Sequence, residues 1–172
     1  MKLKRKTVPL CVAVLILFVI GAGGFAQKHF LNVGAIHPEV KMQLSGMVER
    51  DSTLVPLEKA SAVKPGEVLD WTITSENSGS TAALAYKTIG HIPHGTVFVA
   101  GSAKADGAVK IVYSIDGGRS YSSQPMIDVK QADGTVKQVP APVSMCTEIR
   151  YEWADPLAQG SKLSASYKVR VK

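Results

Sequence analysis

Cysteine is scarce in this sequence: the 172 residues contain two, Cys11 and Cys146. Cys11 lies within an apolar N-terminal run that we expect to be cleaved from the mature protein. A chain left with one cysteine forms no internal disulfide, even in an oxidising compartment. The sequence therefore predicts that no disulfide framework supports the mature fold.

Recognisable catalytic motifs are also lacking. The sequence contains neither a Gly-x-Ser-x-Gly elbow for a nucleophilic serine nor a glycine-rich phosphate loop. Beyond residue 26 the apolar residues show no convincing helical period, and no internal repeat or low-complexity tract stands out. The sequence therefore gives no sign of these two enzyme classes or of a helical domain.

Charge is absent between Lys6 and Lys28, and this gap contains an apolar run over residues 8–20. Four cations precede the run, and the small residues Gly24 and Ala26 follow it. This order is typical of a secretory signal peptide, so we expect residues 1–26 to be cleaved after Ala26. The alternative is an uncleaved anchor, because about 20 uncharged residues can span a bilayer. Both readings predict an extracytoplasmic domain, whether periplasmic, secreted or envelope-associated.

The net charge of +6 and the pI of about 9.3 come partly from this leader. It holds four of the 20 Lys and Arg residues and none of the 14 Asp and Glu residues, so 16 cations and 14 anions remain, a net charge of +2. A charge this small is poor support for nucleic-acid binding. We expect no nucleic-acid partner, and contact with a membrane only through an uncleaved N-terminal segment.

A pattern with a period of two runs through the rest of the chain and is clearest at Leu69, Trp71 and Ile73. These residues alternate with polar ones between a Pro-Gly turn and an Asn-Ser-Gly turn, as in a half-buried strand. Further candidate strands cover residues 40–50, 53–57, 82–89, 96–100, 109–115, 126–130, 135–139, 149–153 and 163–171. We therefore predict an all-β, antiparallel, immunoglobulin-like β-sandwich over residues 40–172, preceded by a linker at 27–39.

Two finer expectations follow from the same pattern. The residues expected to point into the core are Leu69, Trp71, Ile73, Tyr113, Ile149, Trp153 and Tyr167. A sandwich that does not close also has edge strands, which an extended partner segment can join through main-chain hydrogen bonds. We expect the edges to be the first strand, at residues 40–50, and the last, at residues 161–172.

A set of turn and strand motifs in a fixed order resembles a known family. The motifs are Lys64-Pro65-Gly66, Asn77-Ser78-Gly79, Ile92-Pro93-His94-Gly95-Thr96, Tyr113-Ser114-Ile115-Asp116-Gly117-Gly118, Ile149-Arg150-Tyr151-Glu152-Trp153, and Leu157 with Gly160. Together they resemble, in a single copy, the conserved-repeat domain of bacterial envelope proteins, the family labelled "domain of unknown function" eleven. The resemblance implies an extracytoplasmic β-sandwich with a structural or adhesive role, and it implies no catalytic residues.

Several residues are candidates for a metal-binding or catalytic site. His91 and His94 lie three apart, but a metal site needs further ligands, so surface imidazoles are the preferred interpretation. Each of four aspartates precedes a glycine or a proline, which is typical of turns and lacks the dense spacing of a calcium loop; these are Asp106, Asp116, Asp133 and Asp155. Cys146 is interpreted as structural and not as a nucleophile. We therefore predict no catalytic, cofactor-binding or metal-binding residue.

Two further groups of residues are candidates for a binding surface. Lys168, Arg170 and Lys172 alternate with apolar residues, so we interpret them as the solvated face of a strand and not as a polyanion site. Trp71 and Trp153 fall on the apolar phase of their strands, so core packing is preferred to a sugar-stacking platform. The sequence predicts an exported, non-enzymatic envelope β-sandwich that serves as a structural or protein-binding module, with an envelope protein as its partner. The alternatives are a carbohydrate- or polymer-binding module and, less favoured, an envelope hydrolase.

Overall fold

The computed structural model describes residues 36–51 and 53–172, and the predicted signal peptide lies outside them. Their secondary structure is almost entirely β. The strands are β1 (Val40–Arg50), β2 (Thr53–Pro56), β3 (Val68–Asn77), β4 (Lys87–His91), β5 (Thr96–Phe98), β6 (Lys104–Ala105), β7 (Val109–Ser114), β8 (Met126–Lys130), β9 (Val136–Pro140), β10 (Glu148–Trp153) and β11 (Lys162–Val171). Short 3-10 turns lie at Leu57–Lys59 and Val143–Met145. The predicted all-β, antiparallel sandwich is confirmed.

The strands form a large sheet, a small sheet and a separate hairpin, and every pairing between strands is antiparallel. The large sheet has the order β2-β1-β3-β11-β5, with β6 also paired to β11. The small sheet has the order β4-β10-β7, and β8 and β9 form a separate two-stranded hairpin. The small sheet is therefore narrower than the large one, and part of the large sheet's inner face has none of the described strands opposite it.

The core lies between the two sheets and consists of side chains from alternate strand positions. The buried members are Val48, Leu69, Ile73, Phe98, Cys146, Ile149, Tyr151, Trp153, Ala165, Tyr167 and Val169. Two buried phenols also bond across the sandwich: Tyr151 donates to the Ser166 carbonyl at 2.8 Å, and Tyr167 donates to the His91 carbonyl at 2.7 Å. Each of these two tyrosines thus packs its ring in the apolar core while its hydroxyl forms a hydrogen bond.

Five of the seven predicted core residues are buried, and two are only half-buried. The half-buried pair is Trp71 and Tyr113, which pack against the core from its margin. The alternation correctly placed both on the inner face, since Trp71 lies opposite the buried Tyr167 in the ladder and Tyr113 lies opposite the buried Ile149. Their partial exposure arises where the narrow sheet stops, which the pattern along one strand does not encode.

The prediction that the last strand is an edge is wrong. β11 pairs with β3 on one side and with β5 and β6 on the other, so it lies inside the large sheet. Among the described strands, the first is an edge over part of its length, because β2 covers it only from Met47 to Arg50. The predicted strand at 82–89 is also shifted: β4 begins at Lys87, and Ala83 forms only an isolated bridge to Leu157.

The segment that leads into β1 is attached to the sandwich over its described part. The backbone N–H of Ser78 donates to the Glu39 carbonyl at 2.8 Å, and that of Ser80 donates to the His37 carbonyl at 3.2 Å. Residues 36–39 therefore belong to the folded unit, whereas we predicted a linker over all of 27–39. Within residues 36–51 and 53–172, no helix is long and apolar enough to cross a membrane.

Candidate functional site

The strongest candidate for a binding surface is the start of β1, where the large sheet's inner face is open. In the β1–β3 ladder, Met42 lies opposite Ser75 and Leu44 lies opposite Ile73. Ser75 and Ile73 are buried, so Met42 and Leu44 share the face that points toward the core. Their exposed fractions are nevertheless 64% and 57%. Two apolar side chains thus lie on the inner face without full cover.

We call the space beside these residues the β1–β4 groove, a cavity of about 360 Å³. The lining residues, taken from both sheets and from the turn after β4, are Met42, Gln43, Leu44, Trp71, Ile73, Thr88, Ile89, Gly90, His91, Pro93 and Tyr167. At one point the two walls touch, where the Thr88 hydroxyl lies 3.4 Å from the Met42 sulfur. None of the lining side chains is a carboxylate, a lysine or an arginine, so the groove suits an uncharged, largely apolar occupant.

Gly90 determines how closely β4 approaches the large sheet. A methyl group at this position would overlap the Tyr167 ring, which lies directly beneath the glycine backbone. The close approach also brings the Tyr167 hydroxyl to the His91 carbonyl. The absence of a side chain at residue 90 therefore fixes the depth of the β1–β4 groove.

Unpaired strand edges border the groove. Among residues 36–51 and 53–172, β4 is the end strand of the small sheet and pairs only with β10. Residues 40–46 of β1 pair with β3 and, among the described residues, have no strand on their other side. A free strand edge presents backbone N–H and C=O groups that an extended segment can join. The groove thus combines an apolar surface with a row of main-chain donors and acceptors.

Trp71 adds a polar group to this neighbourhood. Its six-membered ring lies over Gly46, where an added methyl would overlap it, and its indole N–H is buried without a hydrogen-bond partner among the described residues. An unsatisfied buried donor destabilises a fold by about 1–3 kcal/mol. Trp71 also lines the β1–β4 groove, so it is a groove residue as well as a core residue, whereas the sequence interpretation preferred core packing alone. The available signal was its position opposite a glycine, which is visible only once the register is known.

A second polar cluster lies on the outer face of the small sheet. The Tyr121 hydroxyl donates to one carboxylate oxygen of Glu148, and the other oxygen lies 3.2 Å from Nδ1 of His91. The Arg150 guanidinium lies 3.9 Å from the centre of the Tyr121 ring. Sequence reasoning found no constellation of this kind, because its members come from β4, β10 and the loop after β7.

The electrostatics of this cluster do not suit nucleophilic chemistry. Burial, followed by the hydrogen bond to Glu148, raises the pKa of Tyr121 to about 12. The phenol therefore stays protonated at neutral pH and acts as a donor, whereas a nucleophile is activated by a lowered pKa. The cluster attaches residues 117–122 to the outer face of the sheet. His94 is exposed and has no part in it.

Asp116 is occupied by its own turn. Its carboxylate accepts hydrogen bonds from the hydroxyls of Ser114 and Ser120 and from the backbone N–H groups of Arg119 and Ser120. These donors, the Ser120 hydroxyl first, hold the pKa of Asp116 well below its usual range. Because these four donors already bond the Asp116 carboxylate, we interpret Asp116 as a residue that stabilises the turn after β7.

The other aspartates are dispersed, and among the described residues no group of three or more His, Cys, Asp or Glu side chains is placed to hold a metal ion. Asp133 bonds Thr135 within the β8–β9 turn, and Asp106 bonds the backbone N–H of Ser164. The structure therefore places these two carboxylates in separate local contacts.

Cys146 is a core residue. It is buried, and its thiol lies 3.6 Å from the Glu148 carbonyl. Burial raises the pKa of the Cys146 thiol to about 11, so the reactive thiolate is scarce at neutral pH. The interpretation of this cysteine as structural agrees with its position and its chemistry.

The basic residues of the last strand lie on the outer face of the large sheet. Lys168 pairs with Asp70 at 3.3 Å, and Arg170 donates to the Gly66 carbonyl at 3.2 Å. Their neighbours Tyr167 and Val169 are buried, so the predicted alternation of solvated and buried faces is confirmed.

No family model, curated protein or solved structure matches this chain.

Proposed function

We propose that this chain is an exported, non-enzymatic envelope module that binds an extended segment of a protein partner in the β1–β4 groove. The main support for the proposal is that exposed apolar residues of the inner face lie beside two strand edges that have no partner within the described part of the chain. A strand joined to β4 would satisfy main-chain groups and lay its alternate side chains against Met42, Leu44 and Trp71. Affinity would come from the backbone, and selectivity from these side-chain contacts.

The non-enzymatic part of the proposal rests on the chemistry of the candidate nucleophiles. Tyr121 and Cys146 both have a raised pKa, the opposite of what nucleophilic catalysis needs. The lining of the groove includes no carboxylate, lysine or arginine, and Nδ1 of its one histidine, His91, lies 3.2 Å from the Glu148 carboxylate. A hydrolase would instead gather titratable groups with opposed pKa shifts in one pocket.

We also propose that the protein is extracytoplasmic and that it belongs to the conserved-repeat envelope family. The leader pattern at residues 1–26 supports export, and the ordered turn motifs support membership of the conserved-repeat envelope family as a single copy. Intact-mass measurement of the exported protein tests the first point. A product that begins at Gln27 is expected, and a product that retains residues 1–26 would favour an anchored protein.

Carbohydrate binding is the second candidate, and one observation favours it. Trp71 is half-buried and lines the groove beside Gln43 and Thr88, so a ring face and hydrogen-bonding side chains lie together. Envelope polysaccharide treated with protease separates the candidates. Retention of that material by the wild type, lost in Trp71→Ala, would favour the carbohydrate reading over the protein reading.

Capture from a solubilised envelope fraction tests the main proposal. The variant Met42→Lys/Leu44→Lys places two charges in the groove at exposed positions, so its free energy of unfolding should change little. The matched control Thr72→Lys/Thr74→Lys places the same charges on the opposite face of the same sheet. We expect the groove variant to lose the partner and the control to retain it. Equal capture by both folded variants would rule out the groove.

A further inference from the structure

A second cavity, of about 220 Å³, lies beside the base of the β8–β9 hairpin. Its walls come from the segments that enter and leave the hairpin, residues 123–125 and 140–143, and from the strands β5 and β7 through Phe98 and Tyr113. The Ala141 N–H donates to the Pro125 carbonyl at 2.9 Å and closes the hairpin base next to this space. We call it the hairpin cavity, and it is separate from the β1–β4 groove, with which it shares no lining residue.

The lining of the hairpin cavity is aromatic, apolar and uncharged. Phe98 and Tyr113 form a tilted ring pair with centres 5.6 Å apart. Prolines 125, 140 and 142 supply rigid apolar surface, and the lining includes no acidic or basic side chain. The buried Cys146 thiol also contributes to the wall, and its raised pKa keeps it neutral. Ser123 and Gln124 provide the exposed polar groups of the lining.

We infer that the hairpin cavity is a binding site for a small, uncharged molecule about the size of one ring, which packs against Phe98 and Tyr113. The size fits, because an engineered apolar cavity of about 150 Å³ is large enough to bind benzene. A charged ligand is disfavoured, because it would lose hydration without gaining an opposite charge from the lining. Ser123, Gln124 or the Tyr113 hydroxyl can meet one polar handle on such a ring.

The cavity position also gives the ligand an effect on the fold. Pro125 and Ala141 stand on the two flanks of the hairpin, so a ligand between the rings and these residues contacts both flanks at once. A two-stranded hairpin is marginally stable when it joins no other strand, and β8 and β9 join none of the other strands that the structure describes. Binding of a ligand in the hairpin cavity should therefore stabilise the β8–β9 hairpin, and this effect does not depend on the β1–β4 groove.

Methyl NMR on the full chain tests the inference, with phenol as the probe and benzoate as its charged counterpart. We expect phenol to shift the methyl signals of Ile115 and Val143 in a saturable way and to leave Val48, the buried core residue of β1, unchanged. Benzoate should bind at least tenfold more weakly. No saturable shift with phenol, or equal binding of benzoate, would overturn the inference.

Cavity-filling variants make the test specific. Ala141→Leu and Ala100→Leu add volume from two different walls, and each should weaken phenol binding at least tenfold while circular dichroism confirms the fold. The matched control is Ala132→Leu at the exposed hairpin tip, which should bind phenol as the wild type does. Undiminished binding by both folded filling variants would place phenol elsewhere and contradict the assignment.

Discussion

The side chain of Asn77 donates a hydrogen bond to the carbonyl of Leu157, at 2.9 Å and across 80 residues of sequence. The same amide group donates to the Thr81 carbonyl, and its oxygen accepts from the backbone N–H groups of Glu39 and Gly79. Asn77 is completely buried. One side chain thus satisfies backbone groups from three separate segments at the end of β3.

Removal of this side chain should destabilise the sandwich strongly. Asn77→Ala leaves several buried backbone groups without a partner, and each such group costs about 1–3 kcal/mol. We expect a loss on the order of 3 kcal/mol in the free energy of unfolding, measured by urea denaturation. Ser78→Ala at the neighbouring exposed position should change it by less than about 0.5 kcal/mol. Similar small effects of both variants would refute this role for Asn77.

The two tryptophans should differ in their contribution to stability. Trp153 is 6% exposed, donates to the Asp106 carbonyl at 2.8 Å and stacks on Tyr86. Trp153→Ala should therefore cost about 3–5 kcal/mol, as core aromatic deletions do. Trp71→Ala should cost less, about 2 kcal/mol, because the ring is half-buried and its N–H is unsatisfied. Thermal and urea unfolding of both variants check the order, and a larger loss for Trp71→Ala would contradict it.

The period-two pattern predicted β3, β10 and β11 well because each strand buries one face and solvates the other. In β10, for example, Ile149, Tyr151 and Trp153 are buried while Arg150 is not. This signal is local to a strand, so it could be found in the sequence. The Asn-Ser-Gly turn after β3 was found in the same way, but the long-range bonds of Asn77 were not, since Leu157 is distant in sequence.

The groove could not be predicted from the sequence because it depends on how many strands each sheet has. Met42 and Leu44 obey the alternation of their strand, which does not tell whether a strand of the other sheet lies opposite them, and the three strands of the small sheet leave them exposed. The edge assignment of β11 failed for a related reason. Its outer partners β5 and β6 are two or three residues long, so no sequence pattern identified them as its neighbours.

Stability should fall in acid partly through Asp116. Its pKa in the folded state is held below the ordinary value of about 3.9, so its contribution is present above that pH and is lost as the pH falls toward the folded-state pKa. Asp116→Asn should be less stable than the wild type at pH 7, and the difference should shrink below about pH 4. Melting temperatures at several pH values measure this. Asp155→Asn, at an exposed turn outside the network, serves as the control, and a difference for Asp116→Asn that is independent of pH would contradict the assignment.

The Cys146 thiol should be unreactive in the folded protein. The residue is buried and, although its thiol contributes to the wall of the hairpin cavity, burial raises its pKa to about 11, so the thiolate content is low at neutral pH. We expect iodoacetamide to label the native protein very slowly at pH 7.5 and to label it fully in urea, as followed by mass spectrometry. Reductant should not change the melting temperature of the mature chain. Rapid labelling without denaturant would show that the position is accessible.

Site-specific photo-crosslinking directly tests whether a protein partner binds in the β1–β4 groove. A photoreactive amino acid at position 44 points into the β1–β4 groove, and one at position 41 lies on the opposite face of the same strand. In intact cells that express the full chain, we expect a discrete crosslinked protein from position 44 and none from position 41. A partner captured from position 41 alone, or no adduct at position 44, would contradict binding through the groove.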